Sequence, residues 1–197
     1  MGKLIFYYGT MGSAKTANAL MTRYQYQRND RLVWLIKPAT DTRDDSYGLT
    51  KIKSRIGLEA EALAIGLNEN INKIYANECS ILKPAVIICD EAQFFTPEQI
   101  EQLRDLSVNL DIDVLCYGLS TDFQTNLFLG AKRLFELADN LIKLDNICDC
   151  GNPALVNGRF NSDGKLITHG ELVSLGSDEQ YRALCWKCYR KKFLLGV

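Results

Sequence analysis

The chain has no charge excess. Its 23 basic and 24 acidic side chains leave a formal net charge of −1. Without a basic surplus there is no electrostatic footprint for a nucleic-acid partner. No apolar run approaches the length of a membrane span, and the N-terminus shows no secretory signal pattern. The expectation is a soluble cytoplasmic protein with no membrane partner. Seven cysteines, odd in number and unevenly placed, argue against a disulfide framework. The single histidine, His169, lies between two cysteine pairs and reads as a surface residue, not as a metal ligand. A length of 197 residues with 47% hydrophobic content suffices for one buried core plus an appendage.

The most informative stretch is Gly9-Thr10-Met11-Gly12-Ser13-Ala14-Lys15-Thr16. It follows an apolar strand, Leu4 to Tyr8. It opens a periodic helix, Lys15 to Arg28, with Ala17, Leu20, Met21 and Tyr24 on one face. Strand, small-residue loop and helix, with a Lys-Thr pair at the helix start, form a phosphate-binding loop. Backbone N–H groups face the anion, Lys15 adds a point charge, and Thr16 offers a hydroxyl to Mg²⁺. Ala14 stands where the usual pattern has glycine. Its Cβ is acceptable at negative φ and costly at positive φ.

Beyond the first helix, Arg31 to Ile36 reads as a second strand ended by Lys37-Pro38. Thr40 to Gly57 is polar and reads as a long mobile loop beside the phosphate site. Glu59 to Leu67 reads as a helix, and Ile71 to Ile81 is ambiguous. The apolar run Ala85 to Cys89 reads as a central parallel strand whose C-terminal end delivers Asp90 and Glu91. Thr96-Pro97-Glu98-Gln99 signals a capped helix with Ile100, Leu103, Leu106 and Leu110 buried. A strand over Asp113–Gly118, a helix over Gly130–Ala138 and a strand over Leu141–Leu144 follow. Strands alternating with helices imply an α/β fold, a mainly parallel sheet flanked by helices. Composition changes at Cys148, after which short strands and turns make a tail too small to fold by burial alone.

Asp90 and Glu91 complement the phosphate loop. An acid closing a hydrophobic strand holds Mg²⁺ on the nucleotide phosphates. Glu91 can activate water, giving an ATPase, or take a proton from a substrate hydroxyl, giving a kinase. A nucleotide-binding sensor impaired by Ala14 is a third reading. Farther on, Cys148-Asp149-Cys150 and Cys185-Trp186-Lys187-Cys188 offer four thiolates in two short pairs, the pattern of a structural Zn²⁺ site.

Asp90-Glu91-Ala92-Gln93-Phe94, after its strand and the phosphate loop, resembles the thymidine kinases of the cytosolic, zinc-containing type. The resemblance extends to Lys37–Arg43, Ser54–Gly57, Tyr117–Phe123 and Gly176–Tyr181, in the family's order and spacing. It implies a RecA-like P-loop kinase core over residues 1–145 and a zinc-binding lasso module over residues 146–197. It implies ATP as phosphoryl donor and thymidine as acceptor, with deoxyuridine a weaker acceptor. Glu91 would be the base on the 5′-hydroxyl and Arg43 the cation beside the transferring group. Gly9 to Lys15 would cradle the phosphates, with Thr16 and Asp90 serving Mg²⁺. Asp41 would contact the sugar, while Met11, Phe94, Leu119, Phe123 and Phe128 would surround the thymine ring. Leu175, Gly176 and Tyr181 would form the lasso that grips the base edge; Ser177 stands where a second glycine is common. A homotetramer and feedback inhibition by dTTP are further implications of the resemblance.

Overall fold

The computed structural model describes residues 1–39, 48–170 and 181–195. Seven apolar or alternating segments become strands: β1 (Leu4–Tyr8), β2 (Val33–Pro38), β3 (Leu49–Lys53), β4 (Glu59–Ile65), β5 (Val86–Cys89), β6 (Asp113–Gly118) and β7 (Asn140–Lys143). They form one sheet in the order β3-β4-β2-β5-β6-β1-β7. Every pairing is parallel except β3 on β4. All four residues of β5 are buried, as a strand covered on both faces requires.

Helices cover both faces. α2 (Ile71–Glu78), α3 (Pro97–Leu110) and α4 (Leu129–Leu137) bury Ile71, Ile100, Leu103 and Leu134 against Phe6, Ile36, Ile87 and Val114. α1 (Lys15–Arg28) takes the opposite face, placing Ala19 and Leu20 against Leu35, Ile88, Leu115 and Tyr117. The start of α3 carries the expected capping box: Thr96 Oγ1 accepts from the Gln99 N–H, and Gln99 Oε1 accepts from the Thr96 N–H.

Three local expectations are corrected. Glu59–Ile65 is strand β4, not a helix: its Ala, Glu and Leu favour helix intrinsically, but pairing with β2 on one side and β3 on the other overrides that preference. Part of the stretch expected as loop is strand β3, whose Thr50 and Ile52 are buried while Leu49, Lys51 and Lys53 face out. On α1, Met21 and Tyr24 are exposed, because the helix lies on the sheet through its small residues. The ambiguous Ile71 segment is helical, with the Asn70 side chain capping Lys73 N–H.

The C-terminal part forms a separate antiparallel sheet of β8 (Val156–Phe160), β9 (Leu166–Ile167) and β10 (Tyr181–Leu184), in the order β10-β8-β9. Helix α5 (Trp186–Leu195), which the sequence reading did not separate from the turns, closes it. Its small core joins Cys148, Val156, Phe160, Leu184, Cys185 and Tyr189. Among the described residues no helix is long and apolar enough to cross a membrane.

Candidate active site and cysteine cluster

Register decides what meets at the sheet's C-terminal edge. Tyr8 of β1 lies beside Gly118 of β6, and Cys116 of β6 beside Cys89 of β5. Gly9, Asp90 and Leu119 therefore leave the sheet on one edge, where open α/β sheets bind ligands.

The phosphate loop turns through Gly12 at φ 81° and Ala14 at φ 58°. The Ser13 N–H donates to the Thr10 carbonyl at 3.2 Å. A Cβ on Gly9 would stand 2.5 Å from Ser13 Oγ and 2.6 Å from the Leu144 carbonyl, so only glycine fits. Ala14 caps α1 without a side-chain bond, leaving first-turn N–H groups directed at the loop's concavity. Lys15 is buried, with Nζ donating to the Thr10 carbonyl at 2.7 Å and the Gly9 carbonyl at 3.3 Å. Burial lowers its pKa, Glu91 and Asp90 oppose that, and Arg55 lowers it further.

The left-handed φ of Ala14 answers the question its Cβ raised. A left-handed non-glycine residue costs roughly 1–2 kcal/mol, and glycine returns part of that in unfolded-chain entropy. Ala14→Gly is expected to stabilise the protein by about 0.5–1 kcal/mol, read as a higher Tm in thermal unfolding. A lower Tm would show that the loop is not strained at this residue.

Asp90 is 4% exposed, and its carboxylate is hydrogen-bonded to Thr16. Burial and the neighbouring Glu91 push its carboxyl up from 3.8 to about 7. A carboxyl whose folded pKa is raised binds extra protons in the folded state between those two values. Its charging cost therefore grows as pH rises from 3.8 and is complete above about 7. Asp90→Asn removes that charge and should raise Tm at pH 8, by an effect on the order of a few kcal/mol, and much less at pH 5. Thermal melts of zinc-loaded protein without Mg²⁺ at the two pH values check this; equal shifts would contradict it.

Glu91 also has a left-handed backbone, at φ 51°. Its Oε2 accepts from Gln93 Nε2 at 2.6 Å, while Gln93 Oε1 accepts from the Leu119 N–H at 2.9 Å. Gln93 is buried, so this one amide sets both Glu91 and the start of the segment after β6. In the sequence the only signal for this role of Gln93 is its place two residues after the acid.

Met11, Phe94, Leu119, Phe128 and Tyr181 are partly buried. The Phe94 and Phe128 rings meet edge to face at 5.4 Å. Phe123 is 1% exposed, with the Arg159 guanidinium 5.4 Å from its ring centre. Tyr181 opens β10 opposite Arg159 of β8. Asp41, Arg43, Leu175 and Gly176 lie outside the described residues.

Three further residues reach the phosphate loop. Arg55 Nη1 would stand 3.9 Å from a Cβ on Gly12. Asn146 and Asn157 hydrogen-bond Met11 from the C-terminal side. Arg55 falls within the motif Ser54–Gly57, whereas nothing in the sequence announces the partners of the two asparagines.

The four sulfurs of Cys148, Cys150, Cys185 and Cys188 lie within 4.8 Å of one another, and Cys150 Sγ is 3.6 Å from Cys185 Sγ. Four thiolates at about 2.3 Å from one Zn²⁺ stand about 3.8 Å apart, so the donor set fits a tetrahedral ion. Asn152 donates to Cys150 Sγ at 3.3 Å, and the Cys188 N–H donates to Cys185 Sγ at 3.4 Å. The Asn152 backbone and side chain lower the Cys150 thiol to about 6. His169 is exposed and outside this group.

A phosphate loop and paired acids on the C-terminal edge of a mainly parallel sheet define a P-loop α/β nucleotide-binding protein. The family model for thymidine kinase matches residues 2–189, and curated proteins named thymidine kinase are similar over nearly the whole chain. That of Rhodopirellula baltica is 40% identical over 94% of this chain and 86% of its own length. Those of Shewanella oneidensis and Legionella pneumophila are 36% and 38% identical over 97% of this chain, covering 98% and 90% of theirs. The chain belongs to the thymidine kinase family. A Pif1 helicase structure from Candida albicans, at 15% identity, aligns with a TM-score of 0.44 over 73% of this chain and 36% of its own.

Proposed function

We propose that this chain transfers the γ-phosphoryl group of ATP to the 5′-hydroxyl of thymidine, and more weakly of deoxyuridine, giving the monophosphate used in salvage for DNA synthesis. The observation that carries the proposal is Glu91, held by Gln93, on the same sheet edge as the loop around Lys15. Phosphoryl transfer asks a protein chiefly for position and charge, with no nucleophilic side chain. The N–H groups of Gly12 to Thr16 and the Lys15 ammonium would hold the donor phosphates. Glu91 would take the proton of the attacking hydroxyl.

Asp90 and Thr16, hydrogen-bonded to each other, offer the hard oxygen donors that suit Mg²⁺. That ion would neutralise charge developing on the phosphates. Arg43 would supply a further cation, and Arg55, beside Gly12, another. Asp41 would hold the sugar. Met11, Phe94, Leu119, Phe123 and Phe128 would enclose the ring, and Leu175, Gly176 and Tyr181 its edge. We divide the chain into a kinase core over residues 1–145 and a zinc lasso module over residues 146–197, which the separate small sheet and cysteine cluster support. Assembly as a homotetramer, dTTP feedback and residence in the reducing cytoplasm complete the reading and rest on the family resemblance.

Supplying Mg·ATP with each natural nucleoside and identifying the products by mass tests the proposal. Thymidine monophosphate should dominate. A buried methyl contact contributes roughly 1–3 kcal/mol, so deoxyuridine should react about 10- to 200-fold less well. Purine nucleosides as good substrates would overturn the assignment.

A further inference from the structure

Met11 has both of its backbone polar groups held by side chains from far along the chain. Its N–H donates to Asn157 Oδ1 at 2.8 Å, and its carbonyl accepts from Asn146 Nδ2 at 2.8 Å. Asn146 Nδ2 also reaches Thr10 Oγ1 at 3.2 Å. The remaining amide group of Asn157 donates to the Thr121 carbonyl at 3.2 Å. Asn157 is 3% exposed, the one buried polar side chain in β8. Asn146 is tied to the same region, since the Ala154 N–H donates to its carbonyl at 2.8 Å. The phosphate loop thus makes three side-chain contacts to the segment that carries the cysteine cluster, two from Asn146 and one from Asn157. It does so at the residue directly before the positive-φ Gly12.

The two peptide units that flank Met11 are each held, the first at its N–H and the second, which also carries the Gly12 N–H, at its carbonyl, so rotation of either would break a hydrogen bond. The N–H groups that follow, from Gly12 onward, are then presented to an anion without reorganisation. We infer that Asn146 and Asn157 are positioning residues for the phosphate donor, so that the C-terminal module completes the ATP site as well as carrying the cysteine cluster. Neither side chain touches the reacting atoms; both act through Met11. By linkage, donor binding tightens the hold of the module on the core by the same factor with which the module tightens donor binding. The inference rests on the reading of this loop as the ATP site.

The test is titration calorimetry with the Mg²⁺ complex of adenosine 5′-(β,γ-imido)triphosphate, together with steady-state kinetics, on the full-length zinc-loaded protein. Asn146→Ala removes the donor to Met11 at a partly exposed position. Asn157→Leu replaces the buried amide at similar volume. Each should weaken nucleotide binding roughly tenfold, the effect of one backbone group left without its partner. The KM for ATP should rise in parallel while kcat at saturating ATP stays within about threefold. Asn146→Gln, which keeps the donor amide, should recover most of the loss. If Asn157→Leu does not fold, Asn146→Ala and Asn146→Gln decide alone. Nucleotide affinity within twofold of the parent in Asn146→Ala would overturn the inference, as would a fall in kcat with unchanged affinity. Failure of the parent protein itself to bind the probe would instead overturn the ATP reading.

Discussion

Glu91→Gln is expected to lower kcat for thymidine phosphorylation by roughly 10²–10⁴ while leaving thymidine binding largely intact. Glutamine has the size of glutamate, and its carbonyl oxygen can still accept from Gln93 Nε2, so the left-handed backbone at φ 51° and the bond from Gln93 to the Leu119 N–H should persist. What is lost is the carboxylate that accepts the proton of the attacking hydroxyl. The magnitude is the ordinary contribution of a positioned general base. Side-by-side kcat and thymidine titration check it, and turnover within tenfold of the parent would remove Glu91 from the role of base.

Removal of metal should have the second large effect. Among the described residues, the C-terminal sheet has a core of six buried residues, three short strands and one helix. Such a unit gains little from burial, whereas thiolate bonds to Zn²⁺ contribute roughly 10–16 kcal/mol in small zinc modules. The protein should contain about one zinc per chain. Chelation, or Cys185→Ser, should unfold the C-terminal sheet while the seven-stranded sheet persists. Trp186, adjacent to Cys185, and Trp34, in the main core, are the two tryptophans and report on the two regions separately. Metal-free protein with unchanged fluorescence and full resistance to proteolysis after residue 145 would contradict this.

Much of the main sheet was legible because its signals are local. β1 and β5 are uninterrupted apolar runs, β6 is one after its opening Asp113, and Thr96-Pro97-Glu98-Gln99 states its own capping box. β4 was not legible, because Ala and Glu favour helix and only its pairing with β2 and with the nearby β3 makes it extended. Met21 and Tyr24 share the apolar spacing of Ala17 and Leu20, yet the close approach of α1 through small residues leaves them outside. The loop around Lys15 and the acid pair were readable as types in order. Their conformations were not: the left-handed φ of Ala14 and Glu91 depends on what surrounds them. The partners of Asn146 and Asn157 stand 135 and 146 residues away, a separation across which no pattern of spacing reaches.

The most direct measurement is the fate of the γ-phosphate of labelled Mg·ATP with and without thymidine. The account predicts label on thymidine monophosphate and little inorganic phosphate when the nucleoside is withheld. Equal release of phosphate with or without thymidine would contradict it, and would make Glu91 an activator of water.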